Sequence, residues 1–313
     1  MSSTTISVTA PADFHVHLRQ GSLSELVTKH VRQGGFSLAY VMPNLTPPIR
    51  NTEEALLYKT QLQAIDPSVE YLMTLYLSPE LTPDEIRKAK AAGVVGVKSY
   101  PRGVTTNSDG GIESYEVYYP IFEAMEQVDM FPRLRIVLEH ATTRAAVECV
   151  KSLGPTVACT ITAHHLDLVV DDWAGQSWNF CKPVAKFPDD RLALREVIKE
   201  GHPRFFLGSD SAPHPPEKKS VSSPGHACAA GVYTSPILLP LVATLLESFG
   251  ALDKLEGFVS GFGRAFYGRE TTEGKVTLRK VSDKVVNESW SLGDASVVPF
   301  WAGKNIGWEI VKE

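Results

Sequence analysis

Asp13-Phe14-His15-Val16-His17-Leu18-Arg19, near the start of a 313-residue chain, sets two imidazoles one residue apart. On an extended strand alternate side chains share a face. His15 and His17 then project together, about 6 to 7 Å apart along the backbone, a spacing that suits two ligands on one metal. Nine histidines in 313 residues give a chance His-x-His about once in four such chains. The pair therefore takes its meaning from the rest of the sequence.

Outward from it, short apolar runs recur, each ending in a residue that can bind metal or hydrogen-bond. Run 36–42 ends at Pro43-Asn44, 94–97 at Lys98 and 136–138 at Glu139-His140; 157–161 leads to His164-His165, and 205–207 ends at Ser209-Asp210. Helix-length segments separate them. One opens on Thr52-Glu53-Glu54, another on Thr82-Pro83-Asp84-Glu85, a Thr N-cap followed by Pro at the first helical position and Glu three residues after the cap. Polar residues at the C-terminal ends of apolar strands that alternate with helices are the pattern of an α/β fold, a TIM-type (β/α)8 barrel with its active site on one rim. Only about seven strands are recognisable, one fewer than closure of such a barrel needs. The chain reads as one domain, 1–313, with the barrel over about 8–250 and a C-terminal elaboration over about 251–313.

Composition narrows the function classes. Apolar residues make up 43% and charged residues 21%, which is ordinary globular usage. A net charge of -5 with no dense Lys/Arg cluster gives no electropositive field for nucleic acid. Cys149, Cys159, Cys181 and Cys228 show no CxxC spacing, which favours a reducing compartment and argues against structural zinc on sulfur. The start, Met-Ser-Ser-Thr-Thr, has no basic segment leading into an apolar core, and the apolar region near 237–246 contains Pro240 and is too short to span a bilayer. A cytoplasmic protein without membrane contact is expected.

Several positions carry chemistry. Met42-Pro43-Asn44-Leu45-Thr46-Pro47-Pro48 is a stiff extended loop that would hold Asn44 in place. Lys98 ends a buried strand and has two readings, a snorkelling cation or a reactive amine. In an apolar wall desolvation lowers the amine pKa, and the neutral amine can add carbon dioxide to become a carbamate that bridges two cations. The loop from Gly103 to Gly111 is either a lid that binds ligand through Thr105 and Thr106 or an inert surface loop. Asp210 is a candidate metal ligand and general base, or else a turn residue. His164 and His165 have two readings as well, one facing the site or both structural.

Together, Asp13-Phe14-His15-Val16-His17-Leu18-Arg19, Val41-Met42-Pro43-Asn44, Val97-Lys98-Ser99-Tyr100-Pro101, Leu138-Glu139-His140 and Gly208-Ser209-Asp210-Ser211-Ala212-Pro213-His214 resemble the dihydroorotase family of the amidohydrolase superfamily, its shorter fungal-like members most closely. The resemblance implies a zinc enzyme that interconverts N-carbamoyl-L-aspartate and L-dihydroorotate in pyrimidine synthesis, acts on a small molecule and forms a homodimer. It implies that His15, His17, N6-carboxylated Lys98 and Asp210 hold one zinc and that His140 and the carbamate serve a second. It also implies that Asp210 shuttles a proton to the leaving nitrogen, that Arg19 and Asn44 grip the substrate carboxylate, and that Thr105, Thr106, His214 and the backbone near Ala230 complete the pocket.

The sequence departs from the family in one place. Between the helix ending near 127 and the Glu139-His140 strand, a strand carrying a further histidine ligand and its helix are absent, a unit of roughly 30 residues. An internal deletion near Met130-Phe131 is expected, opening the barrel by one strand and depleting the second metal position. A hydantoinase- or allantoinase-like cyclic amidase, and a catalytically dead homologue with a scaffold role, are the alternative readings.

Overall fold

The computed structural model describes residues 4–103, 111–128, 134–220 and 227–311. The apolar runs pair as short parallel strands: β2 (Ala12–Val16), β3 (Leu38–Val41), β4 (Glu70–Tyr76), β5 (Gly96–Lys98), β6 (Ile136–Leu138), β7 (Val157–Ile161) and β8 (Phe205–Leu207), preceded by β1 (Thr5–Thr9). They form two parallel sheets, ordered β2-β3-β4-β5 and β6-β7-β8. A parallel bridge between Val16 and Ser211 joins the β2 and β8 edges.

The opposite edges, β5 and β6, pair with nothing between them among the described residues. On β6, Ile136 is 52% and Leu138 41% exposed, whereas Phe205 and Leu207 of β8 are fully buried. β6 pairs with β7 on one side only, and exposed apolar side chains on an open strand edge are a liability that folded proteins ordinarily cover. The predicted junction at 130–131 lies outside the described residues.

Between strands run helices whose starts follow local rules. Thr82 caps Pro83–Ala91 by accepting from the Glu85 amide at 3.2 Å. The predicted start at Thr52 is the observed one: the helix is Thr52–Ile65, and Asn51 caps it by accepting from the Glu54 amide at 2.9 Å. At the start of the C-terminal elaboration the chain forms a 3-10 turn (Leu252–Lys254), a π-helical turn (Gly257–Gly261) and a helix Phe262–Tyr267. That last helix packs under the strands, with Phe14 stacked on Tyr267 at 5.0 Å and set edge-on to Phe206 at 5.3 Å. Gly263 permits the approach, since a Cβ there would sit 2.2 Å from the Phe14 ring. β1 leaves the parallel strands and joins β9 (Lys275–Val285) in an antiparallel sheet, while β10 (Trp290–Leu292) pairs with β11 (Ala295–Val297), and β12 (Asn305–Ile310) closes the β1-β9-β12 sheet. The two chain ends are thus tied together beside the parallel strands.

No helix among the described residues is long and apolar enough to cross a membrane. All four cysteines are free.

Candidate metal and substrate site

The strands' C-terminal ends gather the predicted residues. β2 is not regular: Asp13 pairs with Ala39 and Val16 with Val41, so Phe14 and His15 together oppose Tyr40 alone. A bulge of this kind re-aims a side chain beside an active site. It leaves the His15 and His17 rings 5.5 Å apart and brings His15 within 4.9 Å of the His140 ring. The backbone stitches β2 to β8: the Asp210 amide donates to His15 O at 2.8 Å and the His17 amide to Ser211 O at 3.1 Å. Asp13, fully buried, ties the same junction by accepting from the amides of His15 (3.1 Å) and Ser209 (2.8 Å) and from Ser209 Oγ (2.5 Å).

His17 Nε2–H donates to Asp210 Oδ1 at 3.1 Å, and His15 Nε2 lies 3.5 Å from the same oxygen. His15 Nδ1 lies 2.9 Å from Glu139 Oε2, an ion-pair contact without hydrogen-bond alignment. Glu139 in turn accepts from Thr160 Oγ1 at 2.6 Å, and the same hydroxyl oxygen accepts from the His140 amide at 2.7 Å. Donor atoms of His15, His140 and Asp210 lie within 4.8 Å of one another, in a geometry that can hold a metal ion. His140 Nδ1 is buried and without a hydrogen-bond partner. A carboxylate behind a histidine, here Glu139 behind His15, is the usual support of a metal-binding imidazole.

Electrostatics leaves Asp210, Glu139, His17 and His140 in the protonation states a cation needs. Burial alone would raise the Asp210 carboxyl, but the His17 hydrogen bond and the charges of His140, His15 and His17 hold it well below the usual carboxylate range. Burial opposes Glu139 in the same way, yet His15, Lys98 and Thr160 bring it down to about 2. Desolvation lowers His17 to about 4 and His140 to about 3, so both rings are neutral at pH 7. Lys98 is only partly covered as a residue, but its amine is desolvated enough that burial lowers its pKa against the raising fields of Glu139 and Asp210. It stands over the Tyr100 ring at 5.1 Å.

Beside this group lies a second polar cluster, built on Arg19 and His214. Arg19 Nε donates to Pro213 O at 2.9 Å, and its Nη2 lies 3.2 Å from His214 Nε2, which is also 2.9 Å from Ala230 O. One imidazole nitrogen cannot accept from Arg19 and donate to Ala230 at once, so whichever contact it gives up is released toward a ligand. Lys219, buried, fixes this rim with three bonds, to Phe180 O (3.0 Å), Ala229 O (3.1 Å) and Gly231 O (2.9 Å). Asn44 is buried in the loop after β3. Thr105 and Thr106 lie outside the described residues. Arg19, His140 and Asp210 all adopt positive φ (59°, 41° and 43°), a conformation that costs non-glycine residues energy and concentrates at functional sites.

The structure therefore brings His15, His17, His140 and Asp210 together, with Lys98 in their field and Arg19, His214 and Ala230 alongside. Glu139, Asp13 and Lys219 were given no role from sequence. For Glu139 the signal was its place beside His140 at a strand end, across the register from Thr160.

No family model matches the chain. It is 52% identical to a dihydroorotase of Mycosarcoma maydis over 393 residues that cover all of both chains, so the aligned length exceeds this chain's 313 residues by 80. It is 42% identical to a probable dihydroorotase of Schizosaccharomyces pombe over 339 residues, covering 97% of this chain and 98% of the relative. Since 97% of 313 is roughly 304, that relative fills roughly 35 positions with no counterpart here, about one β/α unit. The solved structure of Saccharomyces cerevisiae dihydroorotase in complex with 5-fluoroorotic acid superposes with a TM-score of 0.92 at 38% identity, covering 98% of each chain. With such identity over full length, the chain belongs to the dihydroorotase family.

Proposed function

We propose that the chain catalyses the reversible cyclisation of N-carbamoyl-L-aspartate to L-dihydroorotate, at a rate reduced by an absent β/α unit. The observation that carries this reading is the His15, His140 and Asp210 donor group set beside the Arg19–His214 pair. A cyclic amide bearing a carboxylate needs an electrophile at its carbonyl and a cation at its carboxylate, and these neighbours offer both. The fold is then a (β/α)8 barrel lacking the unit between β5 and β6.

In this reading zinc is the metal, held by His15, His17, Asp210 and an N6-carboxylated Lys98, with His140 and the carbamate at a second, depleted position. Bound there, zinc polarises the amide carbonyl and acidifies water. Ionised Asp210, oriented by His17, carries the proton between water and the ring nitrogen. The lowered Lys98 pKa supports carbamate formation, because the neutral amine is the form that adds carbon dioxide. Arg19 and Asn44 grip the carboxylate with His214 and the Ala230 backbone; the ligand contacts that the resemblance implies for Thr105 and Thr106 fall outside the described residues. A cytoplasmic homodimer is the setting the family resemblance implies.

The unfilled edge between β5 and β6 favours a second reading, a catalytically silent member acting as a scaffold. Purified chain supplied with zinc and bicarbonate, assayed on dihydroorotate and on hydantoin with metal content measured in parallel, separates the readings. Slow turnover of dihydroorotate is expected. Bound metal without turnover of either compound moves the assignment to the silent member, and faster turnover of hydantoin moves it to a cyclic amidase.

A further inference from the structure

A second group of donors lies outside the site above. Val157–Ile161 leads into a short helical turn, Ala163–Asp167, capped by Thr162, and the turn presents His164 and His165 to Cys181. Donor atoms of the three residues lie within 4.8 Å of one another, and the residues are 0%, 2% and 1% exposed. Neither ring nitrogen of His164 has a hydrogen-bond partner. An imidazole buried with both nitrogens unmet is costly, and it marks a place where a partner belongs.

We propose that His164, His165 and Cys181 form a second metal site for a borderline divalent cation of the zinc type, independent of the site that holds His15 and Asp210. Two imidazoles and a thiolate are a donor set zinc favours. The spacing agrees with this. A tetrahedral centre with bonds of about 2.3 Å to sulfur and about 2.0 Å to nitrogen has a sulfur-to-nitrogen edge of about 3.5 Å, and Cys181 Sγ stands 3.6 Å from His165 Nε2.

The surroundings include a supporting hydrogen bond of the kind metal-binding histidines use. His165 Nδ1 lies 2.8 Å from Thr162 Oγ1, which also accepts from the His165 amide at 3.0 Å. With its proton on Nδ1 the ring donates to Thr162 and aims the Nε2 lone pair at the cluster. Without metal, Nε2–H and Sγ–H both donate to Pro183 O, at 2.9 and 3.3 Å. Loading the ion moves the His165 proton from Nε2 to Nδ1 and releases the Cys181 proton, one proton to solvent per cation bound. The Pro183 carbonyl then stands next to the vacated positions as a fourth, neutral oxygen donor. The Lys219 ammonium nearby opposes the cation and favours the thiolate, and its charge is spread over three carbonyl acceptors.

Cobalt(II) tests the proposal without recourse to turnover, because thiolate ligation alone gives a sulfur-to-cobalt charge-transfer band in the near ultraviolet and the His15 site contains no sulfur. The whole chain is titrated with cobalt as purified and, in a second arm, refolded with cobalt present. The expected result is the band at one equivalent, with one proton released. It is retained when Cys149, Cys159 and Cys228 are replaced together, and in His15→Ala. It is lost in Cys181→Ser, and affinity falls at least about 100-fold in His164→Ala and roughly tenfold in Thr162→Val. Absence of the band in both arms, or its survival in Cys181→Ser, overturns the proposal whatever the activity on dihydroorotate.

Discussion

His17 Nε2 and Asp210 Oδ1, 193 residues apart in sequence, meet at 3.1 Å, and the backbones that carry them are cross-bonded on either side of that contact. The β2/β8 seam is thus both the closed edge of the parallel strands and the floor of the candidate metal site. Whatever loosens the seam should loosen metal binding with it.

Asp13 gives the first prediction. Its carboxylate accepts three hydrogen bonds at that seam, so Asp13→Ala leaves two amides and a hydroxyl to find other partners inside the protein. Buried groups left unmet cost about 1–3 kcal/mol each, and Ser209 Oγ recovers part of this because it also reaches His15 O at 3.0 Å. A net loss of about 3 kcal/mol in denaturant unfolding is expected, with weaker zinc binding by calorimetry. Unchanged stability would show that the seam is held by packing alone.

His30 governs a second. It is buried, its Nδ1 takes a hydrogen bond from the Tyr233 hydroxyl at 2.5 Å, and burial lowers its pKa from 6.5 to about 4. The folded pKa is below the unfolded one, so its contribution is complete above pH 6.5 and is lost as pH falls toward 4. That window holds about 3 kcal/mol. Melting curves across it should slope down steeply with acid in the wild type and less so in His30→Gln. Equal slopes would remove His30 as the cause.

Arg19 is the third. The guanidinium is fixed at Nε by Pro213 O, so its remaining edge is presented in one orientation. A lysine ammonium cannot reproduce that fork. Arg19→Lys should raise KM for dihydroorotate about 10–100-fold, the worth of one charged hydrogen bond, while kcat changes far less. A fall in kcat at constant KM would place Arg19 in the chemistry and remove it from carboxylate binding.

Much of this was legible before any coordinates. The strands at 136–138, 157–161 and 205–207 end where the apolar runs end, because short runs bounded by polar residues leave the chain little choice. The seven parallel strands were legible too, since a strand count is a count of apolar runs, and among the described residues β5 and β6 do not pair with each other. The β2 bulge was not, because strict alternation predicts a regular strand and only the pairing with Tyr40 exposes the extra residue. Asp13 and Lys219 escaped because their partners are backbone groups, and the sequence gives no sign of which amides and carbonyls will face a buried charge. The grouping of Cys181 with His164 and His165 was not legible either, because sequence spacing gives no sign of it. The neighbours of Cys181 come from 16 and 17 positions upstream and meet it only through the fold.

The unpaired β6 edge supplies the last prediction. Ile136 and Leu138 are about half exposed, so each forgoes roughly 1 kcal/mol of burial that a neighbouring strand would provide. Three engineered proteins test the cause. Inserting a β/α unit of roughly 35 residues, the number of positions by which the aligned Schizosaccharomyces pombe relative exceeds this chain, between the helix Tyr119–Val128 and β6 should raise the melting temperature, bury the edge and increase dihydroorotate turnover. In the ungrafted chain, Ile136→Thr should cost no more than about 0.5 kcal/mol, as at a surface, and should reduce concentration-dependent light scattering. In the grafted chain the same substitution should cost about 1–2 kcal/mol, because Ile136 then lies against a neighbour. If the substitution costs the same in both backgrounds, the graft has not filled the slot, and the proposed absence of a unit between β5 and β6 is overturned.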